Sequence, residues 1–440
     1  MNKPRIVITG MGWVTPLGHD LDTVWNALLA ARSGVDRTTH FDASTFPTTF
    51  SAEVKDYDWT RYVCDPALHE GIGLNTSFAL GAALQAWKQS GLIDYGSKLD
   101  PQRLGLYLGA GEGTLDFDHY IRANLAGWDA ENRQIDGQAW AKTATVVMDA
   151  AREIEQEPNM PLAHLAMEFN AQGPAYNCLT ACAASTQAIG EAREILMRGD
   201  ADVMITGGCH TMIHPLGVTG FNRLTALSNR NDEPQTASRP FSADRDGFVM
   251  GEGAGIMILE TLDHAQARGA TVLAEVAGYG STADAYRITD IHPEGRGAAA
   301  AMHQALKGAG LQPADIDWIA AHGTSTKEND SIETRAIKAV FQQNDDPATV
   351  PPVSSIKSMM GHLIAAAGVV QAIAAVLALR DGKLPPTANL TTPSPELDLD
   401  YIPRTARDLS PQTGGPGVSA VLSNSFGFGG QNDSIVLRKL

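Results

Sequence analysis

The chain has 440 residues, a mass of 46.7 kDa and a formal net charge of −17, which argues against nucleic acid or an anionic membrane surface as a partner. No apolar stretch approaches the roughly 20 residues of a membrane-spanning helix, and the N-terminus lacks the layout of a signal peptide. The four cysteines show neither paired spacing nor a zinc pattern. We therefore expect a cytoplasmic protein, long enough for two or three domains.

Strands and helices alternate along the chain, and this alternation predicts βα units in a layered α/β core. A Gly-Met-Gly run follows the first strand, but the Thr-Pro-Leu-Gly that comes next interrupts the helix entry that a dinucleotide-binding loop requires. Strands are predicted at 5–10, 104–108, 203–206, 256–259, 272–276, 318–320 and 419–422, and helices at 22–31, 77–90, 186–198, 297–309, 331–341 and 368–379.

The pattern of elements starts afresh near residue 270, so we predict two topologically similar halves. The N-terminal half is expected to cover 1–270 and the C-terminal half 271–440. Residues 112–165 differ from the rest, because aromatic side chains stand among many polar and acidic ones. This segment is either a helical excursion on the surface or a cap over a pocket.

A cysteine precedes a helix-forming run in the first half. Cys182 lies just before the predicted helix at 186–198, where unpaired backbone N–H groups and the helix dipole favour thiolate over thiol. A cysteine in an alanine-rich stretch is most often a small core residue instead, which is the role expected for Cys178.

Two histidines and a lysine lie in turns rich in glycine and small hydroxyl residues in the second half. His322 follows a short apolar strand, and Lys357 and His362 precede an alanine-rich helix. Such positions present side chains at the edge of a sheet where active sites of α/β proteins gather. Alone, each histidine could be structural and the lysine solvated. Together with a cysteine nucleophile, they are the equipment for acyl transfer through a thioester.

Further candidate residues surround these groups. The glycine-rich loop around Phe428 can supply an N–H to an oxyanion and a movable aromatic gate, or it is an ordinary tight turn. Thr324 and Thr326 can bind an amide-rich substrate arm or cap the following turn. The stretch 238–255 is dense in charge and predicts an internal ion-pair network, with Phe248 facing the pocket.

Taken together, these stretches resemble the β-ketoacyl-[acyl-carrier-protein] synthases, most of all the type II elongating branch. The resemblance runs nearly end to end and weakens only within 112–165. It implies a thiolase fold, in which two pseudo-repeated βα halves form a five-layered αβαβα arrangement. It also implies a homodimer, no metal and no cofactor other than the phosphopantetheine that arrives on the carrier protein.

The resemblance implies a role for each motif residue. Cys182 matches the acylated nucleophile, His322 and His362 match the pair that assists decarboxylation, and Lys357 matches the active-site lysine. The implied reaction is a decarboxylative Claisen condensation. An acyl group on the cysteine joins a malonyl thioester on acyl carrier protein and gives a 3-oxoacyl-acyl carrier protein and CO2, in fatty acid or polyketide-type elongation.

The resemblance also assigns the surroundings of the nucleophile. Phe428 matches a gate residue whose backbone N–H joins that of Cys182 in an oxyanion hole, and Thr324 and Thr326 match threonines that hold the phosphopantetheine arm. Glu112 departs from the pattern, since it falls where an aliphatic residue usually lines the acyl tunnel. A buried carboxylate there would be costly to desolvate, so we expect a shortened or polar tunnel.

The region expected to dock the carrier departs from the pattern as well. Residues 69–70 lack the basic pair that is common there, and Thr225 replaces an arginine, with Arg223 and Arg230 as possible substitutes. Gln431 and Asp433 stand where threonine and glycine are usual.

Three alternatives remain beside the elongating synthase. One is a specialised polyketide, aryl-polyene or unusual-lipid ketosynthase. The second is a thiolase-type enzyme, which would need a second cysteine near the C-terminal glycine-rich loop. The third is a non-catalytic chain-length partner subunit, which would lack the nucleophile.

Overall fold

The structure is a computed structural model that describes residues 4–95 and 98–440. Its centre is one mixed sheet of ten strands. The strands are β1 (Ile6–Val14), β2 (Leu104–Ala110), β3 (Ala175–Cys178), β4 (Val203–His210), β5 (Gly253–Thr261), β6 (Ala274–Ala283), β7 (Trp318–Ala320), β8 (Val353–Ser354), β9 (Ala420–Gly427) and β10 (Gln431–Arg438).

The order of the strands repeats between the two halves. The first five lie in the order β3-β2-β4-β5-β1 and the last five in the order β8-β7-β9-β10-β6. In each half the second strand runs parallel to both of its neighbours, and the fifth runs antiparallel to the first and the fourth. The halves join where β1 pairs with β6, with Val7 opposite Glu275 and Ile8 opposite Ala274. The pseudo-repeat predicted for the fold is confirmed.

Helices cover both faces of each half-sheet. They are α1 (Leu21–Leu29), α2 (Leu74–Gln89), α3 (Leu92–Tyr95), α4 (Phe117–Gly127), α5 (Gly137–Val147), α6 (Ala150–Ile154), α7 (Met160–Phe169), α8 (Ala184–Arg198), α9 (Pro215–Arg223), α10 (Leu262–Ala267), α11 (Arg296–Ala309), α12 (Lys327–Phe341), α13 (Lys357–Met360) and α14 (Ala367–Asp381). Helix α2 packs on β1 and β5, α11 packs on β6 and β10, and α8 and α14 contact each other between the half-sheets. This arrangement gives the five layers.

Helix α14 carries buried apolar residues on every face, as expected of a helix at the centre of the molecule, with Gln371 as a buried polar exception. The expectation that no apolar stretch approaches the length of a membrane-spanning helix is wrong, since Ile364–Asp381 is long and apolar enough to cross a membrane. However, 89% of this segment is buried inside the protein. We interpret it as the core helix of this fold.

Glycine pairs in β1 and β6 let the outer helices approach the sheet. A Cβ on Gly10 would lie 2.0 Å from the Ala86 carbonyl oxygen of α2, and a Cβ on Gly278 would lie 2.0 Å from the Ala305 carbonyl oxygen of α11. The Gly-Met-Gly run therefore lies within a strand, and its glycines serve helix packing. This finding argues against a dinucleotide loop.

The segment 112–165 forms α4, α5 and α6, the start of α7 and a pair of two-residue strands. Helices α4 and α5 pack on each other, but several large apolar side chains of this segment remain exposed: Leu125, Trp128, Ile135, Val146 and Ile154. In the single chain it is a helical surface segment.

Three strands of the ten-stranded sheet were not predicted, for local reasons. Two of the four residues of β3 are exposed and none is fully buried, so the strand lacks the apolar pattern of a buried strand, and β8 has only two residues. Strand β10 begins with three polar residues, Gln431 to Asp433, which do not show the apolar pattern of a buried strand.

The glycine packing predicts a stability effect. We expect Gly280→Ala to destabilise the fold by about 1–3 kcal/mol, because the added Cβ would lie 2.1 Å from the Ala301 carbonyl oxygen. Thermal unfolding would measure the change. Gly220→Ala in α9 is the control, since nothing lies within 4 Å of its added Cβ. Equal melting temperatures for the two variants would contradict this account.

Candidate active site

Cys182 lies in a 3-10 turn, Ala181–Ala183, that leads directly into α8. The backbone of Ala181 has φ +47°, a left-handed conformation that costs a non-glycine residue about 1–2 kcal/mol. The cysteine side chain is only 2% exposed. The turn thus holds the thiol inside the protein, at the amino end of a central helix.

The second half contains a matching turn. A 3-10 turn, Ile364–Ala366, leads into α14, and Ile364 has φ +45°. His362 stands two residues before Ile364, and the two 3-10 turns contact each other. Because α8 and α14 start side by side, the repeat of the fold brings Cys182 close to His362.

Cys182, His322 and His362 meet in the folded chain. The sulfur atom and one ring nitrogen of each histidine lie within 4.8 Å of one another. The two imidazole centroids are 5.4 Å apart with their planes at 83°. His322 reaches this point from the end of β7, and all three residues are buried. The same donors have the types and spacing to bind a thiophilic metal ion.

Burial makes both histidines neutral. It lowers the pKa of His322 and of His362 well below the ordinary value, and the positive charge of Lys357 lowers both further. The Nδ1 of His362 accepts the N–H of Ile364 at 3.2 Å, so the proton of the neutral ring is on Nε2. That Nε2 is buried without a partner among the described residues, which leaves it free to donate to a bound molecule.

The thiol of Cys182 is also in its neutral form. Burial raises its pKa to about 11, although the charge of Lys357 and the N–H groups of Phe428 and Cys182 act in the opposite direction. The sequence predicted a stabilised thiolate, and in the resting chain this prediction is wrong, because desolvation outweighs the helix terminus. The two N–H groups that face the sulfur are the pair predicted for the oxyanion hole.

Lys357 is buried, so it is not a solvated lysine. Its Nζ donates to the His322 carbonyl oxygen at 2.5 Å and to Gln371 Oε1 at 3.2 Å. Burial lowers its pKa to about 8, while Glu333, Cys182 and Asp330 act in the opposite direction. The ammonium group therefore fixes the His322 turn and places positive charge near the thiol.

Glu333 is a site residue that we did not predict. Its carboxylate on α12 accepts the N–H groups of His322 at 2.8 Å and Gly323 at 2.7 Å. Burial raises its pKa to about 7. The sequence did contain a signal, since Asp330 and Glu333 share the buried face of α12 with Ile337. Acidic residues on the apolar face of a helix need buried partners.

The three groups open into a cavity of about 560 Å³. The hydroxyl oxygens of Thr324 and Thr326 are 2.9 Å apart on its wall, and Thr326 also caps α12 by accepting the N–H of Asn329. Phe428, 39% exposed, stands at the wall in a turn with two left-handed glycines. Other lining residues include Phe248, Leu224, Thr225, Asp246, Thr289, Asp290, Ile291, Lys327, Glu328 and Phe426.

Phe248 and its charged stretch behave as the sequence predicts. The Phe248 ring packs edge-on against the His362 ring, with centroids 5.3 Å apart. Within 238–255, Arg239 pairs with Asp244 at 2.6 Å, and Arg245 lies 3.6 Å from Asp330. The ion-pair network holds the loop that carries Phe248.

Glu112 is exposed in the single chain and is not among the residues that line the cavity. The expectation of a buried carboxylate facing an acyl chain therefore lacks structural support. In the single chain this carboxylate is in water, so its contact with an acyl chain stays a prediction.

Known proteins match this chain along nearly its whole length. The model of the β-ketoacyl synthase N-terminal domain matches residues 3–265, and that of the C-terminal domain matches residues 273–391. The 3-oxoacyl-[acyl-carrier-protein] synthase 2 of Coxiella burnetii is 40% identical over 440 residues, all of both chains. The same-named protein of Synechocystis is 42% identical over 440 residues, which is 100% of this chain and 99% of the relative.

A solved structure has the same fold. A ketosynthase complex with a type II polyketide acyl-carrier protein, bound to a hexaketide, matches with a TM-score of 0.84 and 31% identity, covering 100% of both chains. The fold and the matches define an acyltransferase of the condensing type. The chain belongs to the β-ketoacyl synthase family.

The charge of Lys357 predicts a change in thiol reactivity. Lys357→Met should raise the pKa of Cys182 further, because a cation that stabilises the thiolate is removed. The thiolate fraction at a given pH then falls, and alkylation by iodoacetamide slows on the order of tenfold per pKa unit. Peptide mapping at about pH 7, below the pKa of about 8 at which Lys357 loses its charge, would separate Cys182 from the exposed Cys64.

Lys307→Met, which removes an exposed lysine, is the matched control and should react like the parent chain. Faster alkylation of Cys182 in the Lys357 variant would contradict the electrostatic role of Lys357.

Proposed function

We propose that this cavity performs the condensation that characterises the family, with Cys182 as the residue that carries the acyl group. The observation that supports this assignment is the meeting of one buried sulfur and two neutral imidazoles within 4.8 Å. Chain elongation needs a nucleophile and hydrogen-bond donors for an enolate in one dry cavity, and these three side chains meet that need.

The first step transfers the acyl group from its carrier. The Cys182 sulfur attacks the thioester carbonyl, and the N–H groups of Cys182 and Phe428 stabilise the oxyanion. Loss of such a donor typically costs about 3–4 kcal/mol of barrier. The carrier thiol leaves, and the proton of the cysteine thiol ends on it.

The second step releases CO2 from a malonyl thioester. Negative charge grows on the thioester oxygen as the C–C bond to the carboxylate breaks. The Nε2–H of neutral His362 and an N–H of neutral His322 donate hydrogen bonds to that oxygen. The resulting enolate carbon attacks the acyl group on Cys182, and a 3-oxoacyl thioester leaves. The released sulfur takes up one proton, as its raised pKa favours.

Acyl carrier protein is the partner that brings both substrates. Its phosphopantetheine arm would pass Phe428 and lie along Thr324 and Thr326, with no other cofactor and no metal. The matched ketosynthase complex with its carrier supports this partner. The phosphate of the arm needs positive charge at the mouth of the cavity. Lys327 lines the cavity, and Arg223 is exposed at the end of α9, next to the lining residue Leu224.

We also propose a cytoplasmic homodimer in which the division at 270/271 separates two functional halves. Strand β3 is an edge strand whose Tyr176 is 54% exposed, and exposed apolar side chains of α4, α5 and α6 add to this surface. An open edge strand is a template for pairing with another chain. Because β3 leads into the Cys182 turn, a second copy there would stiffen the nucleophile.

The function we favour is chain elongation. It is supported by the full-length relatives, which are named 3-oxoacyl-[acyl-carrier-protein] synthase 2. The chain-length partner subunit is disfavoured because Cys182, His322, His362 and Lys357 are all present. A thiolase-type enzyme is disfavoured because no cysteine follows Cys209 in the sequence.

The two steps predict separable variants. Cys182→Ala should abolish the acyl adduct, whereas His362→Ala should still form it but lose carbon–carbon bond formation by on the order of a hundredfold or more, because the enolate loses a donor. Intact-mass analysis after addition of acyl carrier and then malonyl carrier measures both steps. His303→Ala, at an exposed position on α11, is the control. Condensation by the His362 variant at the parent rate would refute the assignment.

The charges at the mouth predict a second effect. Arg223→Glu should lower kcat/KM severalfold for acyl groups on a phosphopantetheine carrier and leave acyl-pantetheine, which has no phosphate, nearly unaffected. Arg32→Glu, at another exposed arginine, is the control. An equal loss with both substrates would show that Arg223 acts on the fold and not on the carrier arm.

A further inference from the structure

Outside the cavity, four buried titratable side chains form a continuous hydrogen-bonded chain. His69 Nε2 lies 3.0 Å from Glu168 Oε2, the Nδ1 atoms of His69 and His164 are 2.9 Å apart, and His164 Nε2 lies 2.9 Å from Glu155 Oε1. All four side chains are at least nine-tenths buried. We name this the Glu-His-His-Glu chain.

The far oxygen of each carboxylate is bonded to the backbone. The N–H of Cys64 donates to Glu168 Oε1 at 2.9 Å, and the N–H of Gly73 donates to Glu155 Oε2 at 3.3 Å. These bonds fix the carboxylates, so their inner oxygens must face the imidazoles. The Glu-His-His-Glu chain thus links four parts of the fold: the 3-10 turn Pro66–His69, the end of α6, helix α7 and the residue just before α2.

The number of protons bound by these four side chains decides whether all three hydrogen bonds between them can form at once. Three hydrogen bonds need three protons, but two neutral imidazoles between two carboxylates supply only two. One further proton makes one imidazole a donor at both nitrogens, and its partner then accepts through Nδ1. If that proton is lost, two lone pairs face each other at one of the three contacts, and the hydrogen bond there is lost. A fourth proton sets two N–H groups face to face between the rings.

Neighbouring charges do not replace the missing proton. Within residues 4–95 and 98–440, the salt bridges of Glu155 and Glu168 are to these imidazoles alone. Titratable groups on or beside the surrounding elements are Asp65 and Glu70 at the ends of the turn, Lys88 on α2, Arg152 and Glu153 on α6, and also Cys64 and Glu157. Arg152 pairs with Asp116 and not with the chain. The Glu168 carboxylate, through a hydrogen bond and its charge, raises the pKa of the Cys64 thiol, and Lys88 acts in the opposite direction. Glu153 accepts from Gln156.

We propose that the Glu-His-His-Glu chain is a proton-dependent latch that holds residues 150–169 against the start of α2. The latch is closed when three protons are shared among its four groups, and it loosens when the pH changes in either direction. Its position matters because α7 leads to β3 and from there to the Cys182 turn. The proposal does not depend on the reaction at Cys182.

One substitution separates the proton count from the shape of the side chain. In Glu155→Gln the amide oxygen can still accept the N–H of Gly73, while the amide N–H donates to His164 Nε2. His164 then donates from Nδ1 to His69, and His69 donates from Nε2 to Glu168. All three bonds are made with both imidazoles neutral, so the variant needs no extra proton.

Hydrogen exchange of residues 150–169 between about pH 5 and 9, corrected for intrinsic rates, tests the latch. In the parent chain we expect opening to increase on the order of tenfold on both sides of a minimum. Glu155→Gln should lose the increase on the alkaline side. Glu157→Gln, at an exposed position two residues away, should keep the increase in opening on both the acid and the alkaline side. A flat profile in the parent chain, or identical profiles in the parent and Glu155→Gln, would overturn the proposal.

A second measurement does not depend on unfolding. Nitrogen NMR of histidine-labelled protein should show one of the rings at 69 and 164 protonated at both nitrogens and the other unprotonated at Nδ1, or fast exchange between these states. His164→Asn identifies the signals of the pair. Two rings that both carry a proton on Nδ1, or that both lack it, would exclude the shared proton.

Discussion

The contact between the amino ends of α8 and α14 is the constraint on which the site depends. Each half of the chain builds a sheet with the same strand order and places one helix in the central layer. A 3-10 turn whose first residue is left-handed leads into each of these helices. Because the halves pack face to face, the two turns meet. Cys182 and His362 therefore become neighbours although 179 positions lie between them in the sequence.

Desolvation sets the charge states of the titratable side chains around that contact. It raises the pKa of the thiol, lowers those of the imidazoles and moves those of Lys357 and Glu333 toward neutrality. A buried site that holds few permanent charges responds strongly to the charge that a substrate develops. The proposed mechanism uses this property twice, for the oxyanion at the cysteine and for the enolate between the histidines.

The sequence was sufficient to predict the layered α/β fold, its repeat and the groups that meet in the cavity, because these lie in short motifs with distinctive residue types. It was less informative where a property depends on three-dimensional surroundings. The thiolate expected at Cys182 rested on the helix terminus alone, and the extent of burial was not visible. Glu112 was placed in a tunnel by its position in a motif, whereas it is exposed in the single chain. Glu333 escaped notice because its shortest hydrogen bonds are to backbone N–H groups, which no residue type reveals.

The position of β1 has a consequence for how the molecule is made. This strand comes first in the chain among the ten strands of the sheet, yet it ends up between β5 and β6, whose residues are translated more than two hundred positions later. Until then both of its edges are open, and such non-local pairing is slow to form. A nascent chain of this protein must therefore keep an apolar strand shielded through most of its synthesis, a task suited to chaperones that bind extended hydrophobic segments.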